Sequence, residues 1–520
     1  MTSTTPEPAA PATLAWGETW PGLPEFRTLA AERRVIPVSR RLLADVTPVG
    51  LYRTLAQGRS GTFVLESAEV DGTWARYSFV GVHSRATLTV RAGRATWTGD
   101  VPVGVPTDGD PVEVLDETLR VLRTPAVPGL PPLTGGLVGA LGWDIVRYWE
   151  PTLPAKAPEE LGVPELTLCL ATDLAVLDHV DGSVWLIANA INFDDTDARV
   201  DEAWTDAVAR LDAMERGLIE PASASAAVLI DATEPEIEFR STQAEYEAAV
   251  RAGKVAIRDG EVFQVVLSQR LDVACPAEPL DVYRVLRTIN PSPYMYYIQL
   301  QDADGSDFAV VGSSPETLVK IADRRVTTYP IAGSRPRGVG PEEDHELAVE
   351  LLADPKECAE HIMLVDLSRN DLAKVCRPDS VEVVEFMQVR RFSHIMHICS
   401  TVVGRLHDSS TAVETLKATF PAGTLSGAPK PRAIALIDEL EPARRGIYGG
   451  TVGYFDFAGN MDMAIAIRTA MIRDGRASVQ AGAGIVADSV PELEYQESRN
   501  KAAAAVRAVQ IASRLRDAGC

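Results

Sequence analysis

Two acidic segments carry residue types and spacings that could hold a cation. In Lys356-Glu-Cys-Ala-Glu-His, Glu357 and Glu360 stand three residues apart, and on a helix positions i and i+3 share a face. Pro491-Glu-Leu-Glu-Tyr-Gln-Glu-Ser-Arg-Asn-Lys repeats the device, with Glu494, Glu497 and Lys501 on one stripe. Spacing alone fits two solvated helix faces as well as a metal cradle. Brought together, the four carboxylates would repel one another unless protonated or joined by a cation. Hard oxygen ligands with substrate oxygens completing the shell describe Mg²⁺. Arg468 closes the alternating apolar run Ala464-Ile-Ala-Ile, so a strand would present it at one end. His394 and His397 fall on one expected strand, where alternation sends them to opposite faces and lets at most one point into a site.

These groups need elements to hold them. A helix is expected over 242–258, with Thr242 as N-cap and Glu245 three residues on. A strand follows in Val262-Phe-Gln-Val-Val-Leu-Ser-Gln-Arg. Further helices are expected at 342–353, 356–374 and 491–514, and a strand at 389–403. From about Arg40 to Ala190 the text reads as short strands broken by Pro and Gly, before a helix at 199–217 with Val200, Trp204, Val208 and Leu211 at helical spacing. Strands and helices mix without a βαβ rhythm, which predicts an α+β fold with antiparallel sheets. The domain reading is a disordered tail at 1–14, an N-terminal region at 15–215, a linker at 216–240 and a catalytic domain at 241–520. Gly135-Gly-Leu-Val-Gly and Gly449-Gly-Thr-Val-Gly echo each other as GGxVG, by coincidence or as a sheet unit used once in each half.

Composition narrows the classes of function. A chain of 520 residues is long enough for two or more folding units. Lys+Arg 50 against Asp+Glu 73 gives −23, a field that repels phosphate backbones and anionic lipid, so neither nucleic acid nor membrane is expected as a partner. The six cysteines form no CxxC pair, and together with the absence of a signal-like start they point to reduced thiols in a cytoplasmic enzyme.

Longer motifs decide between the readings. They are Pro330-Ile-Ala-Gly-Ser-Arg-Pro-Arg-Gly, His361-Ile-Met-Leu-Val-Asp-Leu-Ser-Arg-Asn-Asp, Ser393-His-Ile-Met-His, Gly423-Thr-Leu-Ser-Gly-Ala-Pro-Lys, Tyr448-Gly-Gly-Thr-Val-Gly-Tyr, Ala464-Ile-Ala-Ile-Arg-Thr, Gly482-Ala-Gly-Ile-Val and Glu494-Tyr-Gln-Glu-Ser-Arg-Asn-Lys. In this order across about 245–505 they closely resemble the chorismate-utilising enzymes, and among these the large, chorismate-binding component I of anthranilate synthases. The N-terminal half matches more weakly, through Leu65-Glu-Ser and Gly135-Gly-Leu-Val-Gly. The resemblance implies two packed, largely antiparallel sheets flanked by helices, with interlocked halves.

It also implies roles. Mg²⁺ would join the ring carboxylate of chorismate to Glu360 and Glu497, with Glu357 and Glu494 as outer or water-mediated partners. The enolpyruvyl carboxylate would meet Arg468, Tyr448 and backbone N–H groups near Gly482 and Gly484, and Gly333 and Ser334 would border the substrate. Ser334 replaces the family's usual threonine, keeping the hydroxyl and losing a methyl. Glu316 matches the general acid for the departing ring hydroxyl, which demands a raised pKa. Thr424 lines the ring site, Lys501 balances charge near the metal, and His397 matches a histidine linked to pyruvate elimination. Relatives that add water carry a lysine base where this chain has Gln264, and aminodeoxychorismate synthases carry a nucleophilic lysine where it has Ala332. An amide cannot deprotonate water, whereas ammonia needs only positioning.

The expected reaction is amination of chorismate at ring carbon 2 and loss of pyruvate to give anthranilate, the first step of tryptophan biosynthesis. Alternatives are an enzyme stopping at aminodeoxyisochorismate, an aminodeoxychorismate synthase, or a non-catalytic tryptophan sensor. No Gly-x-Cys-x-Gly elbow for a glutaminase is present, so ammonia would arrive free or from a glutamine amidotransferase small subunit, in a heterotetramer of two large and two small chains. Feedback binding of tryptophan would use Glu66, Ser67, Pro293, Tyr294, Met295, Val452, Gly453 and Tyr454, with Arg76 a further candidate for the ligand carboxylate.

Overall fold

The computed structural model describes residues 15–68, 76–220, 226–391 and 395–518. The tail expected at 1–14 lies outside them, as does His394. Two antiparallel layers share the long strands Tyr77–Arg91 and Leu166–Asp178. The first layer runs from Val35–Leu43 through Ser183–Ile191 to the shared pair. It continues through Thr62–Glu66, Tyr294–Gln301, Asp307–Ser314, Thr469–Arg473 and Arg476–Ile485 to Gln264–Ala274. The second layer leaves the shared strands through Gly136–Leu141, Thr451–Asp456, Met461–Ile465, Thr317–Ala322 and Arg325–Thr328. It ends at Ile395–Arg405, which pairs with both Ile331–Pro336 and Glu382–Arg391. Leu166–Asp178 is buried along its whole length because both of its faces are covered.

Apolar residues of the two layers meet in an inner core that includes Phe63, Tyr296, Ile298 and Val310 from one sheet and Val138, Ala140, Val452 and Ala464 from the other. Helices cover the outer faces. Helix Pro491–Ala512 lies on Arg476–Ile485 through the buried stripe Ala502, Ala505, Ala508 and Ala512, side chains small enough for close approach. Helix Gln243–Arg258 opens with the expected capping box, Thr242 and Glu245 bonding each other's main chain. Helix Pro355–Ala373 is capped by Asp354, whose carboxylate accepts the N–H groups of Lys356 and Glu357.

The halves interlock at two ladders. Thr62–Glu66 pairs with Tyr294–Gln301, and the two GGxVG segments pair with each other, Gly139 opposite Gly453. A Cβ on Gly139 would stand 2.0 Å from the Thr167 carbonyl oxygen and one on Gly453 1.9 Å from that of Asp462. The echo therefore marks close strand approach on both sides of one ladder.

Two local readings change. The expected strand 389–403 is two strands, Glu382–Arg391 and Ile395–Arg405, hydrogen-bonded to each other with Arg391 opposite Met396. No Gly or Pro marks the reversal, so nothing in the residues breaks the expected strand there. His394, set against His397 by alternation, lies outside the described residues, and His397 belongs to Ile395–Arg405. Within 216–240, helix Val200–Ile219 runs on to Ile219, and Ile237–Phe239 adds a short strand to Gln264–Ala274.

Candidate active site

Strands, turns and helices of the C-terminal half carry the expected groups. The strand Thr317–Ala322 begins just after Glu316, whose own carbonyl accepts the Ile465 N–H at 2.9 Å. Thr424, on the single turn Gly423–Ser426, donates its hydroxyl to Glu316 Oε1 at 2.9 Å. Burial pushes the Glu316 carboxyl up to about 7, against the opposing pull of the Thr424 hydrogen bond and the charges of Lys501 and Arg468. At neutral pH a large fraction of it carries a proton to give.

Arg468 lies in the turn between Met461–Ile465 and Thr469–Arg473 with φ 52, a left-handed conformation uncommon for a residue with a side chain. Its Nη1 donates to the Lys501 carbonyl at 3.1 Å. Burial lowers the guanidinium's pKa, while Tyr448, Glu497 and Glu316 oppose that shift. Lys501 donates to the Gly482 carbonyl at 3.2 Å and pairs with Glu497 Oε1 at 2.7 Å. Tyr448 is buried, and burial raises its phenol above the ordinary range.

His397 and Gly333 form a second group. The Ile331–Pro336 strand bulges between Ala332 and Ser334, and Gly333 supplies the φ of +69 the bulge needs. Its carbonyl accepts His397 Nδ1–H at 2.9 Å, which leaves Nε2 as the acceptor nitrogen of the neutral ring. Burial lowers the His397 pKa, and Arg468 and Lys501 add to that fall against the Gly333 hydrogen bond. A Cβ on Gly333 would come within 3.0 Å of Glu357 Oε2. Ser334 is exposed and stands opposite His397 in the ladder.

The acidic helices face each other as expected. Burial raises the Glu360 pKa, and the charges of Glu357 and of Glu497 raise it further, while Gln264 donates a hydrogen bond to it. Glu494 is raised by burial, with Glu497 adding to the shift. Glu357 lies 3.5 Å from Arg335 Nη1. Among the described residues no three His, Cys, Asp or Glu side chains converge on one point. Fixed positive charge near these acids comes from Lys356, Arg335, Lys501 and Arg468. Gln264 is buried, and a Cβ on Gly484 would stand 2.7 Å from its Nε2.

The residues expected to bind tryptophan lie on or beside the two ladders that join the halves. Glu66 is opposite Met295. Its Oε2 accepts Arg287 Nη2 at 2.9 Å and its Oε1 accepts the Tyr283 hydroxyl. The Tyr294 hydroxyl donates to Asp462 Oδ1 at 3.0 Å and accepts from Thr317 at 3.0 Å. Tyr294 and Tyr454 pack against one core cluster, Met295 within another. Val452 and Gly453 are strand positions beside them. Arg76 is paired with Asp178 at 2.7 Å. Ser67 lies just past the strand, and Pro293 just before its partner.

Three supporting groups escaped the sequence reading. Arg445, 2% exposed, donates to Glu441, to the Leu425 carbonyl at 2.7 Å and to the Val266 carbonyl at 2.8 Å. It lies over the rings of Trp143 and Tyr448. Glu441 also accepts the Ser268 N–H and hydroxyl. Lys430 pairs with Asp371 at 2.8 Å and so ties the Glu360 helix to the turn carrying Thr424. Arg335 joins Glu350, Asp354 and Glu357. In sequence, nothing in Glu441-Pro-Ala-Arg-Arg singles out Glu441 or Arg445.

Residues 62–507 match the chorismate binding enzyme family. Anthranilate synthase component 1 of Arthrobacter globiformis is 60% identical over 499 residues, covering 95% of this chain and 94% of its own. That of Mycolicibacterium smegmatis is 53% identical over 493 residues, covering 94% of each. Among solved structures, anthranilate synthase component I from Streptococcus pneumoniae superposes with TM-score 0.72 at 35% identity, covering 85% of this chain and 94% of the other. The menaquinone-specific isochorismate synthase of Escherichia coli shares the fold with TM-score 0.67 at 19% identity, covering 94% and 98%.

Proposed function

This chain belongs to the chorismate-binding enzymes, and from that premise we propose that it is the chorismate-binding large component of an anthranilate synthase. The observation that carries the reading is Glu316, an acid whose pKa is pushed up to about 7, in a cleft where the position of a water-activating base is held by Gln264. Ammonia addition needs a proton donor for the leaving hydroxyl and no base to create the nucleophile.

Arg468 and backbone N–H groups near Gly482 and Gly484 hold the enolpyruvyl carboxylate, and Tyr448 borders it. Thr424 orients Glu316, which gives its proton to the carbon-4 hydroxyl as ammonia attacks carbon 2. His397, neutral and fixed through Nδ1 by Gly333, presents Nε2 to the carbon-2 proton that must leave with pyruvate. The donor chemistry of Glu360 and Glu497, with Glu357 and Glu494 behind them, fits Mg²⁺, whose shell substrate carboxylate and water would complete. When bound it would neutralise the ring carboxylate and withdraw electrons from the ring. Its arrival would relieve the mutual repulsion that now raises Glu360.

Ammonia would come from a glutamine amidotransferase subunit, two with two large chains. Tryptophan would act along the seam at Glu66, Ser67, Pro293, Tyr294, Met295, Val452, Gly453 and Tyr454. The test is incubation of the purified chain with chorismate, Mg²⁺ and ammonium, following product fluorescence and mass. Anthranilate is expected. Accumulated aminodeoxyisochorismate or a 4-amino isomer would overturn the reading, as would tryptophan binding with no turnover.

A further inference from the structure

We propose that a buried water site built around Thr328, behind Glu316, returns a proton to that carboxylate after each turnover. The proposal rests on the reading of Glu316 as the proton donor. A cavity of about 60 Å³ adjoins Glu316 and is lined also by Thr328, Ser368, Asp371, Thr419 and Thr424. That is room for more than one water, since one needs roughly 10–15 Å³ on this measure. Thr328 is 5% exposed, and its hydroxyl has no hydrogen-bond partner among the described residues. Buried hydroxyls are rarely left so, and where no protein group serves, an ordered water takes that place.

The other lining groups suit a relay. Thr419, also in the lining, spends its hydroxyl proton on the Thr415 and Leu416 carbonyls, so its oxygen can only accept from a water. Asp371 is held between Lys374 at 2.9 Å and Lys430 at 2.8 Å, so its charge is compensated. Ser368, in the same lining, is half-buried one turn before Asp371, and in the proposed relay it is the solvent-side member.

The protons balance. Glu316 gives one to the departing hydroxyl, which leaves as water. The incoming ammonia becomes a ring ammonium and releases one to solvent. A solvent acid passes one through the cavity waters to the Glu316 carboxylate.

The experiment compares wild type, Thr328→Val and Thr328→Ser with chorismate, Mg²⁺ and ammonium, by rapid quench for the first turnover and by steady-state rate. Thr328→Val should keep a first turnover within about twofold of wild type, because the acid starts loaded, and lose about tenfold in steady-state rate. Thr328→Ser should restore the rate. An unchanged steady-state rate in Thr328→Val overturns the relay, and an equally slowed first turnover assigns Thr328 a packing role instead. A wild type that makes no anthranilate overturns the functional reading itself. Independently of folding of the variants, a crystal structure should place water within hydrogen-bond distance of Thr328 Oγ1, and a dry cavity overturns the proposal.

Discussion

The cleft and the seam between the halves use carboxylates in opposite ways. In the cleft, Glu360 faces Glu357 and Glu497 and is pushed toward its neutral form, and Glu316 is held up by burial. At the seam, Glu66 is more deeply buried, with its side chain 4% exposed, yet both of its oxygens are engaged by Arg287 and Tyr283. A buried carboxylate with matched donors is a structural element, and one without them is stored electrostatic stress that a ligand or proton relieves. The proposed cation and proton would relieve the cleft, whereas a ligand at the seam would have to share or displace partners already in place.

The strongest way to break this comparison is to remove charge from the cleft. Glu360→Gln and Glu497→Gln should each lower turnover by about a thousandfold, the several kcal/mol expected of lost charge stabilisation. Circular dichroism and thermal midpoint should stay near wild type, because removing one of several repelling charges does not strain the fold. Raising Mg²⁺ should recover part of the Glu497→Gln loss. An undiminished rate in either variant would show that the acid pairs do not share an ion.

Glu316 gives the next largest effect. Glu316→Gln should cost about a hundredfold in the first turnover, in the range of general acid catalysis. The pH profile follows from the sign of the shift. The active form is the protonated one, with its pKa raised to about 7, so it is fully present in the acid range and is lost as pH rises through 7. With saturating glutamine and the partner subunit the rate should fall above pH 7. With fixed total ammonium the growing fraction of free ammonia offsets that loss, and the profile should flatten instead. Glu316→Gln should abolish the fall in the glutamine-driven profile, and a wild-type glutamine profile that rises through pH 8 would remove Glu316 from the acid's role.

Much of this contrast was legible in the residues. Paired glutamates at helical spacing, Thr424, Lys501 and the glycines all stand together in the cleft. The GGxVG echo was legible as a possible shared sheet unit, but not that its two copies pair with each other across the halves. Pairing partners were not legible. Nothing in Glu441-Pro-Ala-Arg-Arg says that Arg445 is enclosed while Arg444, beside it, is half-buried. The strand reversal before Ile395 carries no Gly or Pro, so alternation read straight through it. Glu66 read as a ligand-binding residue because its partners Tyr283 and Arg287 come from a helix more than 200 residues away, brought in by the Thr62–Glu66 ladder.

The seam should respond more modestly. Glu66→Gln keeps the shape and removes the charge, so it should raise the tryptophan concentration for half-inhibition by about tenfold, within the usual range of coupling between sites. Uninhibited turnover should stay within about twofold. Arg287→Met leaves Glu66 buried beside only the tyrosine and should cost about 3 kcal/mol in stability, read as a lower urea midpoint. Equal loss of uninhibited turnover in Glu66→Gln would show that the two regions are not separable.

The smallest effect sharpens the cleft's choice of nucleophile. Gln264 donates to Glu360 and lies against Gly484, so a lysine there would extend its ammonium toward the same carboxylate. That pairing favours the protonated lysine, which cannot act as a base. Gln264→Lys should therefore yield a hydroxylated product at no more than about a hundredth of the wild-type amination rate, detectable by mass and only when ammonia is withheld. If Glu360→Gln is added, the lysine loses its anionic partner and its pKa falls. The double variant would then form a larger share of hydroxylated product relative to its own anthranilate, although both rates are lower. A share that does not move between the single and double variants would mean that Glu360 does not set the protonation of this position, and the nucleophile choice would have to be sought at Ser334 instead.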